Sequence, residues 1–224
     1  MKTIASLFLA AAGLLSATSA SAQVLNPSRF DDYTDLVHAG FGADAALNVD
    51  VGYVHSLTSL VGTPMVIGTR LSLPFVPEGA DFEAVALSQV GFISSSHFGV
   101  SPRVELGVRN AHTLLINTTD FGIHLDTLGG YFGERVLTAA EIAWEKPLSA
   151  YAIPTDRYRE QFYSDARSGL YSGGGGIFRF GIALGVRLFS ASDLTLRTGI
   201  VRSEHFQNVD FLPIYAQLGF NQAF

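Results

Sequence analysis

Between Gly176 and Phe189 the chain reads Gly-Ile-Phe-Arg-Phe-Gly-Ile-Ala-Leu-Gly-Val-Arg-Leu-Phe. Successive side chains of an extended strand point to opposite faces. Phe178, Phe180, Ile182, Leu184, Val186 and Leu188 therefore share one face, and Arg179, Gly181, Ala183, Gly185 and Arg187 share the other. The same rhythm of two recurs along the chain. Leu47, Val49, Val51 and Tyr53 alternate with Asn48, Asp50 and Gly52; Met65, Ile67, Leu71 and Leu73 alternate with Gly68, Arg70 and Ser72. Val104, Leu106 and Val108 oppose Arg103, Glu105, Gly107 and Arg109, and Phe121, Ile123 and Leu125 oppose Gly122, His124 and Asp126. Ala140, Ile142 and Trp144 oppose Glu141, Leu194, Leu196 and Ile200 oppose Arg197, and Ile214, Ala216, Leu218 and Phe220 close the series. The stretch Phe82–Ile93 mixes the two parities, which a bulge would reconcile. Around Asp35 to Gly42 the alternation is weak.

Between these segments the turn residues are clear. Thr58 to Thr63, Pro74 to Gly79, Ser94 to His97, Gly133 to Arg135 and Ser190 to Asp193 read as short connections, and Asn110 to Asp120 as a loop. From 147 to 175 the periodicity disappears and the composition shifts to Tyr, Arg, Asp, Ser and Gly, so this stretch predicts the longest connection, with room for structure of its own. Thr155 is placed to cap a short helix in which Tyr158 and Phe162 share a face.

The first 22 residues predict a secretory signal peptide: Lys2 supplies positive charge, Ile4 to Leu15 an apolar run, and Ala20-Ser21-Ala22 a small-residue cleavage site. The run is shorter than the ~20 residues of a bilayer-spanning helix, and the remaining 23–224 reads as one domain. The chain has no cysteine, which excludes a disulfide framework, a thiolate nucleophile and a cysteine-borne lipid anchor. Of 14 basic side chains Lys2 leaves with the leader, and the remaining 13 face 20 acidic ones, a charge of minus seven that argues against a nucleic-acid partner.

Which side of the sheet meets solvent follows from three features. The strands run to about ten residues or more, against roughly five to six in soluble proteins, and a tilted membrane strand needs about nine to eleven. Their polar faces carry Gly and Arg instead of the Lys and Glu that coat soluble surfaces. Aromatics such as Tyr53, Phe75, Trp144, Phe178, Phe180 and Phe220 collect at strand ends, where membrane interfaces favour them. The apolar faces are thus assigned to lipid and the polar faces to a lumen. Because backbone in lipid needs every amide paired, the sheet is expected to close into an all-β, antiparallel, up-and-down transmembrane barrel.

With its leader, its alternating strands and a terminal strand ending Leu218-Gly219-Phe220-Asn221-Gln222-Ala223-Phe224, the chain resembles the bacterial outer-membrane β-barrel proteins, the small or porin-like barrels among them. In that superfamily Phe224, Phe220 and Leu218 would match the C-terminal signal read by the barrel-assembly machinery, while Gln222 departs from the apolar residue usual there. The resemblance implies an outer-membrane location in a Gram-negative bacterium, lipid and lipopolysaccharide as surroundings, a periplasmic C-terminus, and short turns on the periplasmic side with long loops outside. Counting back from Phe224 then requires ten strands, with eight as the alternative.

The lumen face is expected to hold Arg70, Arg103, Arg109, Arg179, Arg187 and Arg197 opposite Asp50, Glu83, Glu105, Asp126 and Glu141, an ion-pair network that fills a narrow barrel. The sharper reading of the same charges is a narrow pore. His124, Asp126 and the Ser203-Glu204-His205 run raise a lipopolysaccharide-modifying hydrolase, but nothing in the spacing makes nucleophile, base and carboxylate converge; no catalytic residue, metal site or cofactor is assigned, and the chain is not expected to be an enzyme. In the 147–175 stretch, Tyr151, Arg157, Tyr158, Arg159, Phe162, Tyr163, Arg167 and Tyr171 are candidates for an extracellular ligand of unknown identity, since Tyr and Arg commonly anchor interfaces. The expected function is a structural or surface-interaction barrel, with a small-solute channel and an envelope enzyme as alternatives.

Overall fold

In the computed structural model, residues 23–30, 32–44, 46–57, 63–75, 81–206 and 213–224 are described. The expected leader lies outside these residues, as do most of the Thr58–Thr63 turn and part of the Pro74–Gly79 turn. A 3-10 turn at Pro27–Arg29 precedes the strands β1 (Asp35–Asp44), β2 (Ala46–Leu57), β3 (Met65–Pro74), β4 (Phe82–Val90), β5 (Phe92–Ile93), β6 (Phe98–His112), β7 (Ile116–Phe132) and β8 (Val136–Pro154). A helix α1 (Asp156–Gln161) and strands β9 (Gly169–Ser172), β10 (Ile177–Phe189), β11 (Ser192–Ser203) and β12 (Ile214–Ala223) complete the chain.

Ten of these strands form a closed antiparallel ring. Each pairs with its successor, β8 skips β9 to pair with β10, and β12 returns to β1 through a register from Leu36 opposite Ala223 to Asp44 opposite Tyr215. The two short strands extend the wall: β5 pairs with β6 in the register of β4, and β9 pairs with β8 beyond the start of β10. The weak Asp35–Gly42 segment is a full member, β1. Its alternation is weak because the outward face includes small Ala39 as well as Val37 and Phe41, while His38 lies buried inside.

Three elements differ from the sequence expectation. The ambiguous Phe82–Ile93 stretch contains no parity change: even-numbered residues from Phe82 to Phe92 lie on the more open outer side, and Val85, Leu87 and Gln89 point inward. Val85 and Leu87 are apolar inside because part of the lumen is itself apolar. The loop expected at Asn110–Asp120 shrinks to 113–115, since Asn110 to His112 pair with Asn117 to Thr119. The connection expected at 147–175 starts only after Pro154, because Lys146 to Pro154 continue β8 against β7. A bulge opposite Phe121 and Gly122 shifts the register there. The inward positions beyond it, Ala150 and Ala152, are small, so a single-period reading of the sequence fails. Tyr151 therefore sits on β8 and Tyr171 on β9.

β6, β7 and β8 have 15, 17 and 19 residues, against 9 to 13 for the other seven ring strands. In β7 and β8 the excess projects past the rim at the end that carries the long connection, and α1 packs on it: Tyr158 is buried with Ile116 and Ala152, and Leu115, Tyr163 and Ala166 pack around them. Thr155 accepts from the Tyr158 amide at the helix start, satisfying an amide with no partner inside the helix.

On the inner wall Gly181, Gly199 and Tyr215 lie side by side across β10, β11 and β12. A Cβ on Gly181 would come within 2.1 Å of the Tyr215 hydroxyl and 2.4 Å of the Thr198 carbonyl. The glycine is thus the floor on which the aromatic ring lies. Gly181→Ala is expected to destabilise the barrel by about 1–3 kcal/mol, the usual cost of overpacking, read as a lower urea midpoint in detergent micelles.

Candidate functional site

The wall reverses the arrangement of a water-soluble barrel. Outside, Val51, Ile67, Leu106, Ile142, Ile182 and Leu218 are exposed, and inside, Arg70, Arg103, Glu105, Asp126, Glu141, Arg179 and Arg197 are each no more than 4% exposed. A buried charge is tolerable only when paired and hydrogen-bonded, and these are. Arg70 reaches Glu83 at 3.1 Å and Glu105 at 3.2 Å; Arg103 reaches Glu105 at 3.3 Å and Asp126 at 2.5 Å. Arg197 donates to both carboxylate oxygens of Glu141 and approaches Asp126 at 3.4 Å, with its guanidinium 5.7 Å from the Tyr215 ring. Glu83, Arg70, Glu105, Arg103, Asp126, Arg197 and Glu141 form one unbroken chain of alternating sign across the lumen.

A second group lies toward the long-connection end. Arg109 pairs with Asp120 at 2.9 Å and sits 3.9 Å from Glu145, which Arg179 holds at 2.8 Å. Glu145 and Asp120 were missed by the sequence reading, since both border stretches read as loops; their signal was position on strands that ran longer than expected. Between the two groups is a small cavity of about 30 Å³ lined by Glu83, Glu105, Arg109, His124 and Glu145 among others. His124 gives its Nδ1 to the Glu105 contact at 3.2 Å. Asp50 pairs with a histidine, His38, at 2.7 Å, and the other ring nitrogen of His38 meets Asn221 at 2.7 Å. Arg187, half-buried at the short-turn end, approaches Asp32 at 3.5 Å.

Sequence reasoning also missed what fills the short-turn half of the lumen. Residues 23–30 and Tyr33 lie inside the barrel, with Gln23, Leu25 and Phe30 at 0% exposure. Leu25, Phe30 and Tyr33 pack with Leu36, Val54, Val66 and Leu87 from the wall, and Val24 packs with Leu128, Phe132 and Leu137. Pro27 comes so close to β4 that a Cβ on Gly91 would sit 2.6 Å from it. Arg29 is held by Asp193 and donates to the Ser190 carbonyl at 2.9 Å. The signal lay in the apolar inward residues Val85 and Leu87, where a water-filled lumen would have carried polar ones.

The loop candidates divide. Tyr158 is buried under α1, Tyr163 packs beside it, and Arg159 bonds to Asp156 at 3.0 Å and to the Ala166 carbonyl at 3.3 Å. Arg157, Phe162, Arg167, Tyr151 and Tyr171 are exposed, together with Ile153 and Leu170. At the rim below, Glu204 accepts from Lys146 at 2.8 Å and from the Gly176 amide at 3.0 Å, tying the returning end of the long connection to β11. Those two contacts hold its carboxyl below the usual value of 4.5. Ser203, Glu204 and His205 are thus a structural corner, and among the described residues no group of three or more His, Cys, Asp or Glu side chains is arranged to hold a metal. Phe220, Leu218 and Phe224 all point outward from β12 and are exposed.

No family model matches the chain, and no curated protein matches it. Among solved structures it is similar to the crystal structure of the β domain of the Bordetella autotransporter BrkA, at 9% identity and a TM-score of 0.38, over 85% of this chain and 98% of that one.

Arg197→Met leaves Glu141 and Asp126 short of their shared cation, and is expected to destabilise the barrel by about 3–5 kcal/mol, measured by urea unfolding. Glu204 gives a prediction with a sign. Its folded pKa is depressed, so its contribution is complete above the ordinary carboxylate value and is lost as pH falls through the lower folded one. Protection of the Gly176 amide, taken relative to the intrinsic exchange rate at each pH, should be kept at neutral pH and lost only below that range, whereas Glu204→Ala should lack it at neutral pH.

Proposed function

We propose that the protein is a transmembrane β-barrel of the Gram-negative outer membrane whose lumen is shut and whose task is to hold an interaction surface outside the cell. An apolar exterior around a charged interior supports the membrane setting, because exposed Val, Ile, Leu and Phe gain nothing from water while the closed ladder leaves lipid no unpaired amide. In this setting the short turns, the start of β1 and the end of β12 face the periplasm, and the projecting part of β7 to β9 with α1 faces outward. β12 presents Leu218, Phe220 and Phe224 where the barrel-assembly machinery would read them.

The observation that carries the reading is closure in series. The peptide 23–33 fills one half of the lumen and the Glu83-to-Glu141 ion-pair chain crosses the middle, leaving solute transport little room and the projecting sheet as the feature that the ring alone does not require. Its outer face offers Tyr151, Ile153 and Leu170, flanked by Arg157 and Arg167, the mix of aromatic, aliphatic and Arg side chains typical of interface anchors.

Purified protein in planar bilayers is expected to give no single-channel steps; regular steps at low protein load would return the protein to the channel class. Replacing 156–168 by a Gly-Ser linker of equal length should preserve a heat-modifiable barrel and abolish adhesion of cells displaying it, and adhesion unchanged by that replacement would refute the surface role.

A further inference from the structure

The segment 23–33 belongs to the lumen without belonging to the wall. Among the described residues from 23 to 33 none takes part in the ring's strand pairing, which begins where the Thr34 carbonyl accepts from the Ser56 amide at 2.8 Å. The wall instead reads it as a bound peptide is read. Three consecutive carbonyls accept from three side chains on three strands: Gln23 from Arg103 on β6 at 2.5 Å, Val24 from Asn221 on β12 at 2.8 Å, and Leu25 from Gln89 on β4 at 3.5 Å. The donors are themselves set in place, Asn221 by His38 at 2.7 Å, Gln89 by Ser101 at 2.9 Å and Arg103 by Asp126 at 2.5 Å. Val24 and Leu25 then enter two separate apolar pockets on the wall, as alternate side chains of an extended peptide do. Asn26 turns the chain, bonding the Gly133 carbonyl at 2.8 Å through its Nδ2 and the Ser28 amide at 3.2 Å through its Oδ1. Arg29 docks on Asp193, and Phe30 closes the pocket that Leu25 enters.

Three side-chain donors to backbone carbonyls, two apolar side-chain pockets and one acidic anchor make a peptide site. We propose that the short-turn half of the lumen is a binding site for an extended peptide with adjacent apolar residues and a following basic residue, occupied by the protein's own 23–33 segment, which a free peptide of the same pattern can replace. A tethered segment competes at an effective concentration of the order of millimolar. A free peptide at ordinary concentration therefore gains entry only when the tethered copy is weakened.

The chain is free of cysteine, so Thr195→Cys, on the wall of the small cavity shared by Asn26, Asp193 and Asn221, provides a single reporter thiol. The full-length protein is used in detergent micelles with both mouths open to a maleimide, so the result does not depend on the outer-membrane reading. With the natural segment the reporter should label slowly. Adding Arg29→Ala and Phe30→Ala should speed labelling at least ten-fold, and millimolar synthetic peptide of sequence 23–33 should return the rate to that of the parent while a scrambled peptide does not. If the doubly substituted chain fails to fold, Asn26→Ala, which removes the contacts to Gly133 and Ser28, is read in the same way. A folded, heat-modifiable barrel whose reporter stays shielded in the weakened variant overturns the inference, and so does labelling that native and scrambled peptides suppress equally or leave unchanged.

Discussion

Closure of the backbone ladder is the constraint on which everything else in the molecule depends. An apolar exterior is stable in lipid only if the sheet has no edge, because an unpaired N–H or C=O there finds no partner. The pairings of β12 with β1 and of β8 with β10 supply that closure. Once the ring is shut, side chains on alternate residues have only two destinations, and a ring of ten strands encloses a space narrow enough for side chains to fill.

Charge in that space must then be neutralised locally. The interior answers with long guanidinium groups that each span two carboxylates, so that Arg70, Arg103 and Arg197 link four strands' worth of acids into one chain. Arginine suits the task because its planar fork donates in two directions at once and remains charged when buried. The near absence of lysine has the same origin: an ammonium would satisfy one carboxylate and leave its neighbour short. Where the chain of ion pairs ends, the wall turns apolar, and the 23–33 segment supplies the matching surface.

Local pattern was legible wherever one face met a uniform medium. Val104, Leu106 and Val108 on β6, or Ile182 and Val186 on β10, report the outside by periodicity alone. Legibility failed where a strand's inner face met something other than charged lumen. Leu87 looked out of phase because it packs in a cluster with Leu25 and Tyr33, which lie near it only in three dimensions. Ala152 looked like loop because its apolar partner is Tyr158, brought back by the α1 turn. The Arg and carboxylate residues could be assigned to one face from sequence, but their partners could not, since Arg197 and Asp126 are 71 residues apart.

The sequence by itself determined the period, and through it the strand, the polarity of each face and the need for closure, because these follow from side-chain alternation along one strand. Only the tertiary structure decided which arginine meets which carboxylate, how far β7 and β8 outrun the ring, and that residues 23–30 and Tyr33 pack inside the lumen. Those are relations between strands distant in the chain, and register and shear, which bring them together, leave no trace in the alternation of any single segment.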